Sequence, residues 1–182
     1  FILSGHLRRL ADFAGTDGSI LRKGACQTAL GLTGVPYLWG GRSLSGDCAD
    51  DPDARRSRDD RGSFARGLDC SGLVNLVFMV NGIDPPRNAH DQWLWGGAAE
   101  AGDLEAGDLV FLSKGDPPGH MDHVMIYSGG DDLIESPETG QVVRRTTFSE
   151  RLGSPLERFI CSGRRAGESR VEFGRPCPLW QL

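Results

Sequence analysis

The sequence predicts an α+β domain, with helices packed on a central antiparallel sheet. Three observations predict it. Residues 16 to 32 carry small and apolar side chains at helical spacing. Residues 71 to 80, "SGLVNLVFMV", form an apolar run that follows Asp69 and stops at Asn81-Gly82. From residue 108 onward, short apolar runs alternate with glycine- and proline-containing turns. Helical segments followed by a strand series give a segregated arrangement, not an alternating parallel one.

Residues 1 to 15 read as a strand end and a loop. Thr16 or Asp17 is placed to cap the first helix, which runs to about Leu32. Ile20, Leu21, Gly24, Ala25, Thr28, Ala29 and Leu32 share one face. That face is small, so it should pack closely on something flat, and Gly34 and Pro36 end the helix. "VPYLWGGRS" is a short apolar stretch broken at a glycine pair. Residues 44 to 66 are polar, charged and turn-rich, and read as a surface insertion; a connection of this length is commonly functional or without fixed structure. The run at 71 to 80 is apolar all round, which periodicity alone leaves open between helix and strand. Asp69 as N-cap and Asn81-Gly82 as stop favour a helix buried on most sides. After "PPRNAHDQW" and a loop, strands are expected at Asp108 to Leu112, His123 to Tyr127, Asp132 to Glu135, Gln141 to Thr146 and Glu157 to Cys161.

The chain has 182 residues, enough for one domain with a true core. Apolar residues make up 38% and charged residues 25%, the balance of an ordinary globular protein. A net charge of -5 weighs against a nucleic-acid binder. No apolar run nears the roughly 20 residues of a membrane-spanning helix. Cys26, Cys48, Cys70, Cys161 and Cys177 follow no zinc spacing and include no C-x-x-C pair. No metal or cofactor is expected, and the odd count leaves at least one thiol free or paired between molecules.

Cys70 stands at the edge of an apolar run, where structural cysteines usually lie inside one. If Asp69 caps the helix, the thiol falls in its first turn. The helix dipole favours a thiolate there, and the unpaired N–H groups suit an oxyanion. Gly72 is expected to leave room for a substrate. A thiol nucleophile needs a base. Of the four histidines, His6 lies in the terminal segment, and His90 and His120 lie in expected loops. His123 opens a strand, which holds an imidazole rigidly. A three-residue loop, Ser128-Gly129-Gly130, pairs Tyr127 with Asp131. Counting outward, His123 falls directly opposite Glu135, close enough for the carboxylate to orient the ring. Cys70, His123 and Glu135 then make a nucleophile, a base and an orienter for acyl transfer.

"PYLWGGRS", "LDCSGLV", "GDLVFL", "DHVMIY" and "LIES", in that order, resemble the NlpC/P60 cysteine peptidases. The resemblance spans roughly residues 17 to 161. It implies a papain-like fold and cleavage of bacterial cell-wall stem peptides, with Cys70 as nucleophile and His123 as base. The family's third polar residue, often a histidine, falls at Glu135. The resemblance also implies Tyr37 beside the cysteine as a substrate contact, and Asp69 and Ser71 as holders of the stem peptide's N-terminal amino group. Arg87 and Gln92 match the family's "PR…Q" element, and Trp39 is expected to pack. "FILSGHLRRL" resembles the last strand of a bacterial SH3-like domain, so residues 1 to 15 are expected to be its remnant or a linker, and residues 16 to 182 the catalytic domain with its insertion at 44 to 66.

The leading expectation is hydrolysis of the bond between γ-D-glutamate and a diamino acid, meso-diaminopimelate or lysine, in peptidoglycan stem peptides or muropeptides. A rival keeps the same residues but acts as an N-acetylmuramoyl-L-alanine amidase or an acyltransferase. A third is a catalytically silent cell-wall binding module. The chain is expected to be a monomer, without nucleic-acid partner or membrane insertion. The cell envelope, secretion and cytoplasmic wall recycling all fit the leading expectation.

Overall fold

The computed structural model describes residues 18–44, 66–115, 119–162 and 165–176. The expected caps Thr16 and Asp17, the segment 1 to 15 and most of the insertion lie outside the described residues.

The first helix, α1, spans Gly18–Gly31. Leu21, Ala25 and Ala29 are buried as the periodicity predicts, but Ile20 is 62% exposed. Arg22 takes the inward position instead, donating to Asp108 Oδ1 at 2.8 Å. The small face does meet a neighbour closely: a Cβ on Gly24 would stand 2.4 Å from Asn81 Oδ1. Asn81 closes the second helix, α2, which spans Cys70–Val80. Its amide donates to Val77 O at 2.8 Å and to Thr28 Oγ1 of α1 at 3.1 Å. Gly82 follows at φ +82, a conformation that favours glycine. Two short strands, β1 at Arg42–Ser43 and β2 at Gly67–Leu68, pair antiparallel at the head of α2.

"AHDQWLW" is not loop but a third helix, α3, at Ala89–Trp95. It puts Ala89 and Gln92 inward, three residues apart. Short β3 (Gly97–Ala98) precedes the central strands β4 (Leu109–Ser113), β5 (His123–Gly129), β6 (Asp132–Glu135) and β7 (Arg144–Thr147). Two helices follow, α4 at Phe148–Leu152 and α5 at Leu156–Ser162, then β8 (Arg165–Ala166) and β9 (Ser169–Arg175). The main sheet runs β3-β9-β4-β5-β6-β7, with β8 joined to β9, and every pairing is antiparallel.

Both faces of this sheet are covered. Alternate residues of β4 and β5 point to opposite sides. Leu109, Phe111, Val124 and Ile126 join Ala25 and Ala29 of α1 and Leu73, Val77 and Phe78 of α2 in one apolar cluster. Val110, Leu112, Met125 and Tyr127 join Phe148, Leu156 and Phe159 of α4 and α5 in the other. Covered faces explain why these strands read as unbroken apolar runs.

Residues 157 to 161 are helical, not a strand. Leu156 and Phe159 both turn into the second cluster, which is helical spacing. Past 161, β9 supplies a strand that no expectation covered. It lies beside β4 in the middle of the sheet, and Val171 and Phe173 alternate inward. Trp39, expected to pack, is 82% exposed.

Candidate active site

Asp69 builds the head of α2. Its backbone is extended (φ -82, ψ -179), and its Oδ1 accepts the Gly72 N–H at 2.6 Å. The Asp69 carbonyl accepts the Leu73 N–H at 2.9 Å. Helix geometry leaves the N–H groups of Cys70 and Ser71 without an intrahelical acceptor, beside a half-buried thiol. An anion formed there meets two donors and the positive end of the dipole.

Gly72 serves packing, not substrate entry. A Cβ there would stand 2.1 Å from the Gly41 carbonyl oxygen. That carbonyl accepts the Asp69 N–H at 3.0 Å and so seats the cap residue. Both sides of the contact are backbone and have little freedom to yield. Gly72→Ala is therefore expected to cost about 3 kcal/mol, overpacking at a rigid contact. Thermal unfolding reads it as a fall of roughly 6–12 °C in midpoint.

His123, the first residue of β5, hydrogen-bonds Glu135 Oε2 through Nε2 at 2.9 Å. The Cys70 side chain lies beside the same ring, close enough to favour its charged form. With Nε2 turned to the carboxylate, Nδ1 is the nitrogen left for the sulfur. His123 is 7% exposed and Glu135 is fully buried. Burial works against a charged imidazole, but Cys70 and the hydrogen bond to Glu135 outweigh it and raise His123 above its ordinary 6.5. Burial likewise pushes the Glu135 carboxyl up. The hydrogen bond and charge of His123, then those of Arg151, overcome it and hold the group at about 2.

The register behind this pair differs from the expected one. Tyr127 pairs with Leu133 and Ile126 with Ile134, with a bulge between Tyr127 and Gly129. The ladder is thus two residues out from the three-residue hairpin count. A shift of two keeps every side chain on its face. Glu135 becomes the diagonal neighbour of His123, not its direct partner. A glutamate is long enough to close that separation.

Two arginines hold the pair, and a third lies beyond the cysteine. Arg144 of β7, directly across the ladder from Glu135, donates to Oε1 through Nε at 3.1 Å and Nη2 at 2.8 Å. Arg151 of α4 donates through Nε to Oε2 at 2.8 Å. On the far side of the cysteine, Arg87 grips Asp69 with two bonds, 3.0 Å to Oδ1 and 2.7 Å to Oδ2, and donates to Ser71 Oγ at 2.9 Å. Asp69 Oδ2 also accepts the Gly40 N–H at 3.0 Å. Asp69 and Ser71, which the resemblance implies as holders of the stem peptide's amino group, flank the thiol in sequence. Their polar atoms are already engaged, so an incoming ammonium would share Asp69 with Arg87. Gln92 pins α3 to this turn, donating to Ser71 O at 3.0 Å and Pro86 O at 2.8 Å.

Tyr37 stands near Cys70 and Asp69. Burial first, then the neighbouring Cys70 and Asp69, push its hydroxyl up to about 12, so it stays a neutral donor. His90 and His120 stack on each other with ring centroids 4.6 Å apart and take no part in the Cys70–His123 line. Cys26 points its thiol at the Tyr127 carbonyl, 3.8 Å away, and Cys161 is exposed on α5. Cys48, Cys177 and His6 lie outside the described residues. Among the described residues no cluster of His, Cys, Asp or Glu could hold a metal ion, and no helix is long and apolar enough to cross a membrane.

Sequence reasoning missed Arg144 and Arg151. Arg144 was within reach of it, since an arginine across the ladder from a buried glutamate follows from the register. Arg151 was not, because its helix was unexpected. The Thr147–Glu150 capping box that starts α4 was the available signal.

Residues 34–156, more than half of the chain, match the model of the NlpC/P60 family. The chain belongs to the NlpC/P60 family. Among curated relatives, it is 34% identical over 139 residues to a γ-D-glutamyl-L-lysine dipeptidyl-peptidase of Bacillus subtilis, covering 76% of this chain and 39% of that protein. It is 32% identical over 125 residues to the peptidoglycan endopeptidase RipA of Mycobacterium tuberculosis, covering 69% of this chain and 23% of that one. The chain thus spans well under half the length of these relatives. The structure of the peptidoglycan hydrolase RipB from Mycobacterium tuberculosis superposes with a TM-score of 0.61 at 24% identity, covering 94% of this chain and 74% of that one. At that identity the likeness speaks for the fold, an NlpC/P60 arrangement of the papain-like α+β type.

Proposed function

We propose that this NlpC/P60 domain is a cysteine peptidase that hydrolyses bacterial peptidoglycan stem peptides between γ-D-glutamate and the following diamino acid. One observation carries the reading: a half-buried thiol at a helix head, beside an imidazole whose Nε2 is held by a buried carboxylate. The relative named for the γ-D-glutamyl-L-lysine bond supports the choice of bond.

In this reading Cys70 passes its proton to His123 Nδ1 and the sulfur attacks the γ-carbonyl carbon. The carbonyl oxygen takes up the displaced electron pair and is held by the N–H groups of Cys70 and Ser71. Collapse of the adduct breaks the C–N bond, and His123 gives its proton to the departing amine. A thioester on Cys70 remains. Water then enters, loses a proton to His123 and attacks the thioester; the acid leaves and the thiol is restored. Glu135 holds the ring in one tautomer throughout. Tyr37, being neutral, serves as a hydrogen-bond donor to the substrate.

The test is product analysis by mass. The domain is incubated with the free tripeptide L-Ala-γ-D-Glu-diamino acid and, separately, with intact peptidoglycan. The expected products are L-Ala-γ-D-Glu ends and stems beginning at the diamino acid. Release of the whole stem from the muramoyl group would instead assign an amidase.

A further inference from the structure

Glu135 carries more partners than an orienting carboxylate needs. It is fully buried, yet three cationic or titratable side chains from three elements converge on its two oxygens: His123 from β5, Arg144 from β7 and Arg151 from α4. Among the described residues, Oε1 is occupied by Arg144 alone. Oε2 is shared by Arg151 and His123, at 2.8 and 2.9 Å.

We propose that Arg144 and Arg151 are positioning residues for hydrolysis at Cys70: they fix the Glu135 carboxylate on His123 Nε2 and share its negative charge, so that His123 remains able to release its proton. The proposal deepens the cysteine-peptidase reading and rests on it.

Geometry comes first. A glutamate reaching His123 along a diagonal has side-chain freedom that the hydrogen bond alone would have to pay for. Arg144 places two N–H donors, Nε and Nη2, on the single oxygen Oε1 and so fixes where that oxygen lies. Arg151 then fixes the remaining oxygen from the far side. The imidazole meets an acceptor already in place.

Charge is the second part. A lone buried carboxylate against an imidazolium would stabilise the ion pair strongly and make His123 slow to protonate a leaving amine. Two guanidiniums against one carboxylate reverse the sign of the local charge. The other charged groups near the reaction line do not supply this. Asp69 and Arg87 neutralise each other across Cys70. Arg145 turns to Asp132, and Glu150 is engaged by Thr146 and Thr147.

The test is the pH dependence of kcat/KM on a stem tripeptide for Arg151→Gln, Arg151→Lys, Arg144→Gln and, as a control away from the site, Arg145→Gln. Both site arginines are partly exposed, 44% for Arg144 and 30% for Arg151 at the side chain, so their replacement should leave a folded protein, which thermal unfolding checks. Removing a positive charge from beside Glu135 should move the alkaline limb to higher pH by roughly half a unit to one unit. It should lower kcat by about 3–10-fold with KM little changed. Arg151→Lys should return the limb towards its wild-type place while kcat stays reduced, since it restores the charge without the Nε–H donor that meets Oε2. Arg145→Gln should behave as wild type. Limbs that stay fixed in both Gln variants, or that move equally in Arg145→Gln, overturn the proposal. Should the wild-type domain itself fail to cleave, with no preferential labelling of Cys70, the peptidase reading falls and not the clamp alone.

Discussion

Cys70→Ala is expected to abolish the proposed stem-peptide cleavage and to leave the fold intact. The side chain is half-buried at the first position of α2, and alanine is the best helix former. The cap contacts belong to Asp69, Gly72 and Leu73, none of which the change touches. Stability should therefore stay within about 0.5 kcal/mol of wild type. Among the described residues no other thiol takes its place: Cys26 faces a backbone carbonyl of β5 and Cys161 lies on α5. Loss of a nucleophile that acts as a unit with its base should lower kcat by at least about 10⁴-fold. Rapid alkylation of the wild-type domain at neutral pH should disappear in the variant. Slow, equal labelling of all the cysteines in the wild type would favour a silent wall-binding module.

Glu135→Ala is expected to have the second-largest effect, on two properties together. Turnover falls because His123 loses the acceptor that fixes its tautomer; a drop of about 10²–10⁴-fold in kcat is expected, with a much smaller change in KM. Stability falls because Arg144 and Arg151 lose their shared acceptor. The pH dependence has a definite sign. The Glu135 carboxyl lies at about 2 in the fold against an ordinary 4.5. Its contribution, of about 3 kcal/mol, is fully present above pH 4.5 and is lost as pH falls towards 2. Acid unfolding followed by circular dichroism should show the variant losing less stability than wild type across that window. Equal slopes in the two proteins would mean that the carboxylate is not held by its partners in solution.

The helices α1 and α2 and the strands β4 to β6 were legible because local signals and burial agree there. Asp69, Asn81 and Gly82 bracket α2 in the sequence as they do in the fold. His123 and Glu135 met despite a wrong register, because an error of two residues preserves the face. The same slip by one would have sent Glu135 into the other cluster. Past residue 147 the reading failed for a physical reason. "LERFI" has the composition of a strand, and its fate is settled by which of its apolar side chains the sheet can bury. α3 was hidden behind "PPRN", whose prolines read as loop. The arrangement of Asp69 was only half visible. Its capping role follows from position, whereas the grip of Arg87, 18 residues away, is tertiary.

Sulfur chemistry at Cys70 is open to direct observation. The domain is mixed with a stem tripeptide, quenched in acid within milliseconds to seconds, digested and analysed by mass. A thioester joining the L-Ala-γ-D-Glu acyl group to the Cys70 peptide, absent from Cys70→Ala and accumulating in Glu135→Ala if deacylation slows more than acylation, is the result expected of the wild-type protein. Product formed at a full rate with no acyl group on Cys70 under any quench time, or an adduct on another residue, would contradict it.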